Sequence, residues 1–243
     1  GEGPDLDLGA GLVGERRGGA QPEVGGEIAP PDPDSLIPLA RDDADRARDA
    51  RAREAGEQLL ADGAVAAVLL AGGQGTRLGF DGPKGLFPFA PITGRTLFSH
   101  HAAKIAALRA RYGAALPWYI LTSPQNDAAT RAAFEEAGWY GLDPSSVRLV
   151  VQGTLPAVDP HSGQIPLEEP DRSGPSPARH GGLLSALRAA GSLDEMEDEG
   201  IRTVFTFQVD NPMVRVCNPE LLGHHALAEA DMASVVVRKV GSE

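Results

Sequence analysis

The segment 65–89, VAAVLLAGGQGTRLGFDGPKGLFPF, combines the residue types that phosphate chemistry requires. An apolar run, Val65–Leu70, leads into a stretch rich in glycine, and two cations, Arg77 and Lys84, stand at its edges. Glycines let the backbone pass close to a phosphate and point N–H groups at its oxygens. Nearby cations can neutralise the charge that remains. The segment therefore predicts a loop that binds a phosphate-bearing ligand.

Two familiar phosphate-binding patterns do not fit this loop. The P-loop pattern ends in Gly-Lys-Ser/Thr, whereas Phe80 follows Gly79 here. The dinucleotide pattern G-x-G-x-x-G can start at Gly73, but Leu78 replaces its last glycine and Pro83 prevents the long helix that should follow. The loop is thus of another kind. From these residues alone, a tight turn with a solvated arginine and lysine stays open as an alternative.

Strands and helices alternate along the chain from Val65 onward. Apolar runs predict strands at 65–70, 118–123, 147–152, 203–210 and, as the final element, 232–240. Helical patterns lie between them, at 96–113, 126–138 (with Asn126 as N-cap), 181–200 and 219–230. This alternation predicts an α/β fold with a mostly parallel sheet flanked by helices. Ligands of such sheets bind beyond the carboxyl ends of the strands.

Three segments are expected along the chain. Residues 1–40 are rich in Gly, Pro, Asp and Glu, which predicts a disordered or extended segment. Residues 41–63 are rich in helix formers, which predicts a charged surface helix capped near Asp42 and ending near Gly63. Residues 64–243 then form the α/β part that carries the glycine-rich loop.

Composition restricts the function classes. The formal net charge of −12 and a pI of about 4.9 argue against a broad surface for nucleic acid or anionic membranes. A single cysteine, Cys217, excludes an intramolecular disulfide and fits a reducing compartment. The sequence has no apolar run of membrane-spanning length, and its first residues lack the apolar core of a secretory signal. A cytoplasmic protein is expected.

The glycine-rich motif resembles a known signature. LAGGQGTRLG together with PKG resembles the nucleotide-binding signature of sugar-nucleotide pyrophosphorylases, most of all the UDP-N-acetylhexosamine pyrophosphorylases of the UDP-sugar pyrophosphorylase superfamily. UDP-glucose enzymes typically have NGGLGTSMG at this loop. The resemblance continues in order through PWYILTS, VVQGTLPAVD, GQIPLEEP, HGGLLSAL, MEDEGI and FQVDNPMVRVCNPELLGHHALAEADM, and so covers about 63–243. It implies a Rossmann-like fold of the nucleotide-diphospho-sugar transferase type.

The resemblance implies a reaction between UTP and a sugar 1-phosphate, most of all N-acetylglucosamine 1-phosphate, that gives a UDP-sugar and pyrophosphate. Magnesium is the implied cofactor, and no nucleic acid or membrane takes part. Arg77 is implied to bind the phosphates that leave as pyrophosphate, and Lys84 to stabilise charge at the α-phosphate. Backbone N–H groups of 72–75 are implied to hold the nucleotide.

The resemblance also implies which residues contact the substrate. These are Leu70, Ala71, Gly72, Gly73, Gln74, Gly75, Thr76, Gln152, Gly153, Arg179, His180 and Gly181. Gln152 matches a glutamine that reads the uracil edge, and 154–156 are expected to shape the base pocket. His180 matches a contact near the ribose and phosphate. Arg179 stands where the family usually has a glycine that contacts uracil through its backbone.

Several acidic and histidine residues invite a metal-site interpretation. Asp210 ends the fourth predicted strand and matches the metal-binding segment of the family, which implies that it binds Mg²⁺; a turn-forming aspartate is the alternative. Glu168 and Glu169 are interpreted as a solvated hairpin arm. The histidine pairs 100–101 and 224–225 are interpreted as helix residues, because adjacent side chains diverge on a helix and no ligand-spaced Cys or His accompanies them.

Members of the resembled family continue well beyond the position of Glu243. The chain is therefore expected to be the amino-terminal, nucleotide-binding portion of a longer enzyme, with a sheet that is incomplete at its C-terminus. A non-catalytic nucleotide-binding module, or a transferase of another nucleotide or sugar, stays open as an alternative. The oligomeric state is not predicted.

Overall fold

In a computed structural model, the structure describes residues 31–156, 167–169, 172–173, 175–177 and 182–237. The chain divides into two units, Gly1–Leu39 and Ala40–Glu243. Within the described part of the first unit, a 3-10 turn spans Pro33–Ser35. The elements of the second unit carry the candidate site.

The second unit alternates helices with strands. Its helices are α1 (Asp43–Ala61), α2 (Leu97–Tyr112), α3 (Asp127–Glu136), α4 (Leu183–Ala189), α5 (Ser192–Asp198) and α6 (Pro219–Leu227). Its strands are β1 (Val65–Leu70), β2 (Trp118–Thr122), β3 (Val147–Val151), β4 (Thr154–Pro156), β5 (Leu167–Glu169), β6 (Arg172–Ser173), β7 (Pro175–Pro177) and β8 (Thr203–Gln208).

The main sheet has four parallel strands in the order β3-β2-β1-β8. The chain steps outward from β1 to β2 and β3, then returns to place β8 on the other side of β1. Leu70, at the end of β1, is in register with Leu121 of β2 and Gln208 of β8. The carboxyl ends of these strands therefore form one edge, and the strand order reverses between β1 and β8. The predicted α/β fold with a parallel sheet is confirmed.

Both faces of the central strands β1 and β2 are buried, which explains their continuous apolar runs. On one face, Ala67 and Leu69 of β1 share a core with Phe98 of α2 and Phe134 of α3. On the other face, β1 and β2 share a core with Leu183 and Leu187 of α4 and Met196 of α5. Because alternate residues of β1 enter different cores, the strand has no polar face. Burial on both sides holds the end of β1 in place, and with it the start of the loop that follows.

The charged helix α1 begins where the sequence indicates. Asp42 is its N-cap, and its side chain accepts from the N–H of Asp45 at 2.8 Å. The helix buries only a narrow stripe, Ala52, Gly56 and Leu60. It packs on α6, and ion pairs such as Arg53–Glu220 (3.0 Å) join the two helices. Other charged side chains of α1, such as Arg46, Arg51 and Glu54, are exposed.

Two predicted elements differ from the structure. The predicted strand 232–240 is wrong over its described part, because 232–237 is irregular and Val235–237 are at least 69% exposed. No described element covers these valines, so no burial offsets the entropy cost of ordering a strand. The helix predicted over 181–200 is broken into α4 and α5 at Gly191, which has a φ of 71°.

Across the described part of the chain, none of the helices has both the length and the apolar character needed to cross a membrane.

Candidate active site

The glycine-rich loop after β1 folds back on itself as two short antiparallel arms. Gln74 pairs with Pro83 in an isolated β-bridge. Beside this bridge, the N–H of Lys84 donates to the Gly73 oxygen at 3.1 Å. The two arms thereby bring Lys84 back to the carboxyl end of β1, where the ligands of parallel sheets bind.

Lys84 is held by close packing on one side and by an ion pair on the other. A Cβ added to Gly85 would lie 2.2 Å from the ring of Phe98, so only glycine lets this turn rest on α2. The Lys84 Nζ donates to the Asp210 Oδ2 at 2.9 Å, and 22% of the lysine side chain is exposed. Asp210 follows β8, so the ion pair bridges the point where the strand order reverses.

Three successive N–H groups of the loop have no internal partner. Within the described residues, no hydrogen bond is donated by the backbone N–H of Gly72, Gly73 or Gln74. Gly75 differs, because its N–H donates to the Gly82 oxygen at 2.8 Å. The Gly75 N–H thus holds the arms of the loop together, and its expected contact with the nucleotide stays a prediction.

Gln152 lies against the start of the same loop. It follows β3, is 3% exposed, and its Nε2 would lie 2.0 Å from a Cβ added to Gly72. Its Oε1 is buried and has no hydrogen-bond partner among the described residues, and the same holds for the Oγ of Ser123 at the end of β2. A buried amide oxygen without a partner costs free energy unless a ligand supplies a donor. This arrangement suits a ligand with a polar planar edge.

The other predicted loop residues differ in their surroundings. Leu70 belongs to β1, and the N–H of Ala71 continues the sheet by donating to the Leu121 oxygen at 2.8 Å. Thr76 and Arg77 form an exposed 3-10 turn at the tip of the loop. The Arg77 side chain makes no hydrogen bond or ion pair with any described residue. Arg77 is thus available to an anion, but no contact joins it to Lys84.

Part of the predicted site lies outside the described residues. Arg179, His180 and Gly181 belong to this group, and their expected roles stay predictions. Gly153 is described and exposed, directly after Gln152. The next residues form β4, which pairs with β7 in an antiparallel ladder, and β5 pairs with β6. The backbone of Glu168 and Glu169 thus belongs to a hairpin arm, as expected.

The donor set at Asp210 restricts how a metal could bind. No group of three or more His, Cys, Asp and Glu residues that could hold a metal ion occurs within the described ranges. Asp210 offers one carboxylate, and 43% of its side chain is exposed. Mg²⁺ commonly takes one or two carboxylates and completes its shell with substrate phosphates and water. The residues therefore fit a magnesium ion that arrives with a phosphate ligand rather than one held by the protein alone.

A family model described as UTP–glucose-1-phosphate uridylyltransferase matches residues 26–243. The chain belongs to this family. The match begins before α1 and runs through the glycine-rich loop, Gln152 and Asp210, so it includes all the site residues described above.

Curated relatives within the uridylyltransferase family cover most of this chain but less than half of their own length. The chain is 38% identical over 194 residues to UDP-N-acetylglucosamine diphosphorylase 1 of Arabidopsis thaliana, covering 76% of this chain and 38% of the relative. It is 33% identical over 187 residues to UDP-N-acetylglucosamine pyrophosphorylase of Saccharomyces cerevisiae, covering 76% of this chain and 39% of the relative. The chain thus spans about two fifths of the length of these relatives.

Solved structures show the same fold. The uridine diphosphate N-acetylglucosamine pyrophosphorylase of Trypanosoma brucei, in complex with an inhibitor, superposes with a TM-score of 0.68 at 30% identity, over 77% of this chain and 40% of that one. A UDP-glucose pyrophosphorylase of Leishmania major gives a TM-score of 0.58 at 22% identity, over 70% of this chain and 35% of that one. The second comparison supports the fold only.

Sequence reasoning missed the polar side of α2 in this member of the uridylyltransferase family. His101 Nε2 contacts the Val209 oxygen (3.0 Å), and His100 Nε2 contacts the Pro212 oxygen (3.0 Å). The ammonium of Lys104 donates to the Pro212 oxygen at 2.6 Å, and burial lowers the pKa of this lysine. These contacts flank Asp210 on both sides and fix its backbone. The adjacent histidines were the only sequence signal, and they do not reveal which carbonyls they face.

We expect His101 to make folding stability depend on pH. A carbonyl can only accept, so Nε2 carries the hydrogen, while the buried Nδ1 has no partner. Burial, with Lys104 and His100 adding to it, lowers the pKa of His101 from 6.5 to about 4. The unfolded state therefore binds more protons between pH 6.5 and 4, and the free energy of unfolding should fall over this range by on the order of 3 kcal/mol.

The matched variant is His101→Gln, whose amide can donate to Val209 but does not titrate. Urea unfolding of both proteins at pH 7, 6, 5 and 4 gives the difference in slope. A wild-type slope equal to that of His101→Gln would contradict a buried neutral histidine at this position.

Proposed function

We propose that this chain forms the nucleotide-binding half of a uridylyltransferase that makes a UDP-sugar, most of all UDP-N-acetylglucosamine, and pyrophosphate from UTP and a sugar 1-phosphate. One observation carries the proposal: the partnerless N–H groups of 72–74 run from the buried amide of Gln152 to the Lys84–Asp210 ion pair. A side chain that can select the base, N–H groups that can bind phosphate and an ion pair thus follow one another beside the loop after β1. The Arabidopsis and yeast relatives are named for UDP-N-acetylglucosamine, which supports this choice of sugar.

The reaction needs positioning and charge neutralisation more than proton transfer. A phosphate oxygen of the sugar 1-phosphate attacks the α-phosphorus of UTP and forms a new P–O bond. The bond from that phosphorus to the bridging oxygen breaks in line, and pyrophosphate leaves with the electron pair. Because the nucleophile is already an anion, no general base is required.

Lys84 and Arg77 have different positions and therefore different proposed roles. Lys84 is anchored at the base of the loop and directs its ammonium across the ends of β1 and β8. This position suits charge that develops at the α-phosphate. Arg77 lies at the exposed tip, where its fork of donors suits the departing pyrophosphate.

Asp210 is the proposed ligand of Mg²⁺, which would neutralise phosphate charge when it binds together with UTP. Lys84 pairs with the same carboxylate. Asp210 would hold the ion through this carboxylate, and Lys84 would then be free to contact a phosphate.

Base selectivity is the first test of this proposal. The amide of Gln152 can accept from uracil N3–H and donate to a uracil carbonyl. We expect the complete protein to bind UTP at least tenfold more tightly than ATP or GTP, because a site built for particular polar groups rejects a base that leaves them unpaired. Isothermal titrations with UTP, ATP, GTP and dTTP at one magnesium concentration give the ranking.

Gln152→Leu keeps the volume of the side chain but removes both polar atoms. This variant should lose the preference for UTP while its melting temperature changes little, since the amide oxygen has no partner in the part of the chain that the structure describes. Equal affinity of the wild type for ATP and UTP would contradict the uridine assignment and favour another nucleotidyltransferase. Binding of UTP without pyrophosphate release from any sugar 1-phosphate would favour a non-catalytic module.

A further inference from the structure

Asn126 joins helix α3 to the glycine-rich loop. The residue is fully buried at the start of α3, and its Nδ2 donates to the Ala71 oxygen at 2.9 Å and to the Gly73 oxygen at 3.3 Å. Its Oδ1 accepts from the N–H of Ser123 at 2.8 Å. One side chain therefore links the end of β2 to two carbonyls of the loop after β1.

An N-cap role does not account for these contacts. Asn126 occupies the N-cap position of α3, but its side chain makes no capping hydrogen bond to the helix. Both donor hydrogens go instead to a loop more than fifty residues earlier in the chain. The expectation that Asn126 caps α3 is right about its position and wrong about its partners.

The two carbonyls that Asn126 holds set the direction of two N–H groups. In a planar trans peptide, the C=O of one residue and the N–H of the next point in opposite directions. Holding the Ala71 and Gly73 oxygens therefore turns the N–H groups of Gly72 and Gln74 away from Asn126. These are two of the three N–H groups without an internal partner. The Gly73 oxygen also accepts the N–H of Lys84, which fixes this peptide from a second side.

We propose that Asn126 is a positioning residue that orients the Gly72 and Gln74 N–H groups toward the phosphates of the nucleotide. This inference rests on the proposed function, since it assigns the loop amides to UTP. The preorganised amides bind a phosphate without the cost of turning two peptides at the moment of binding. Glycine at 72 and 73 lets those peptides rotate freely, so an external restraint is needed to choose one orientation.

The Asn126→Asp variant separates positioning from capping. Aspartate is as good an N-cap as asparagine and still accepts from Ser123, so a capping role alone predicts little change. Positioning predicts a loss, because an ionised carboxylate cannot donate and faces two carbonyl oxygens. At pH 8 we expect the dissociation constant of UTP, and its KM, to rise about tenfold or more, with a smaller change in kcat.

Thr130→Val is the matched control. Thr130 lies one turn further along α3 and is equally buried, and its Oγ1 has no partner within the described ranges. This variant should leave UTP binding unchanged, and Asn126→Ala should resemble Asn126→Asp, which separates lost donors from added charge. Thermal melts of all variants check that folding persists.

Hydrogen exchange without nucleotide tests the same inference independently of UTP. The amides of Gly75 and Lys84 are hydrogen-bonded within the loop, and they should exchange faster in Asn126→Asp than in Thr130→Val. Unchanged exchange, or unchanged UTP affinity in a folded Asn126→Asp protein, would overturn the positioning role. If the wild type does not bind UTP, the proposed function fails, and exchange alone then decides whether Asn126 orders the loop.

Discussion

Replacing Lys84 with alanine in the complete protein is expected to lower kcat by roughly a hundredfold or more, the scale for losing one preorganised electrostatic donor. The affinity for UTP should fall much less. The side chain is aimed by the close packing of Gly85 on Phe98 and by the bond from its own N–H to Gly73. Removing a contact that strengthens in the transition state lowers kcat, whereas removing a contact that binds substrate and transition state equally raises KM. Steady-state kinetics of UDP-sugar formation measure both quantities.

Two further variants separate the proposed role of Lys84 from general loss of charge. Arg46→Ala removes a cation from the exposed face of α1, where it pairs with Asp43, and should leave kcat unchanged. Arg77→Ala removes the partnerless cation at the loop tip and should mainly raise the KM for pyrophosphate in the reverse reaction. A folded Lys84→Ala protein with a kcat near that of the wild type would show that Lys84 takes no part in the chemical step.

The sequence predicted where some candidate site residues lie, because chain direction alone determines their position. Parallel strands end at one edge, so Gln152 after β3 and Asp210 after β8 had to lie near the loop after β1. The glycine-rich loop and the turn at Lys84 could be predicted because close backbone packing requires glycine at particular positions, which is visible in the local sequence. The parallel order of the main sheet followed from the alternation of apolar runs with helical segments.

What the sequence did not predict depends on contacts between distant segments. Asn126 was interpreted as the N-cap of α3, because local sequence propensity contains no information about its hydrogen bonds to Ala71 and Gly73. The contact between His101 and Val209 spans more than one hundred residues and has no local pattern. The strand predicted at 232–240 failed over its described part for a related reason. Valines favour a strand only when a neighbour buries them, and the sequence does not specify that neighbour.

Asp210→Asn is expected to change UTP binding in opposite directions with and without magnesium. In the wild type, the Asp210 carboxylate pairs with Lys84 at 2.9 Å and adds negative charge where phosphates would bind. Without divalent metal, the amide frees Lys84 and removes that charge, so UTP should bind about threefold to tenfold more tightly; the gain is modest because the pair is partly exposed. With magnesium, the lost carboxylate ligand should lower turnover by at least about tenfold and raise the magnesium concentration required for half-maximal rate.

Asp81→Asn is the control for general electrostatics. Asp81 lies in the same glycine-rich loop, is exposed and has no contact with Lys84, so its replacement removes the same charge without releasing the lysine. UTP titrations in EDTA and in magnesium, on the wild type and both variants, compare the UTP affinity of each variant with that of the wild type under both conditions. Tighter metal-free binding by Asp210→Asn but not by Asp81→Asn would identify the carboxylate as the partner that Lys84 leaves when the nucleotide arrives. Weaker metal-free binding by Asp210→Asn would instead mean that the ion pair holds Lys84 in its binding position, and the exchange of partners at Asp210 would then be wrong.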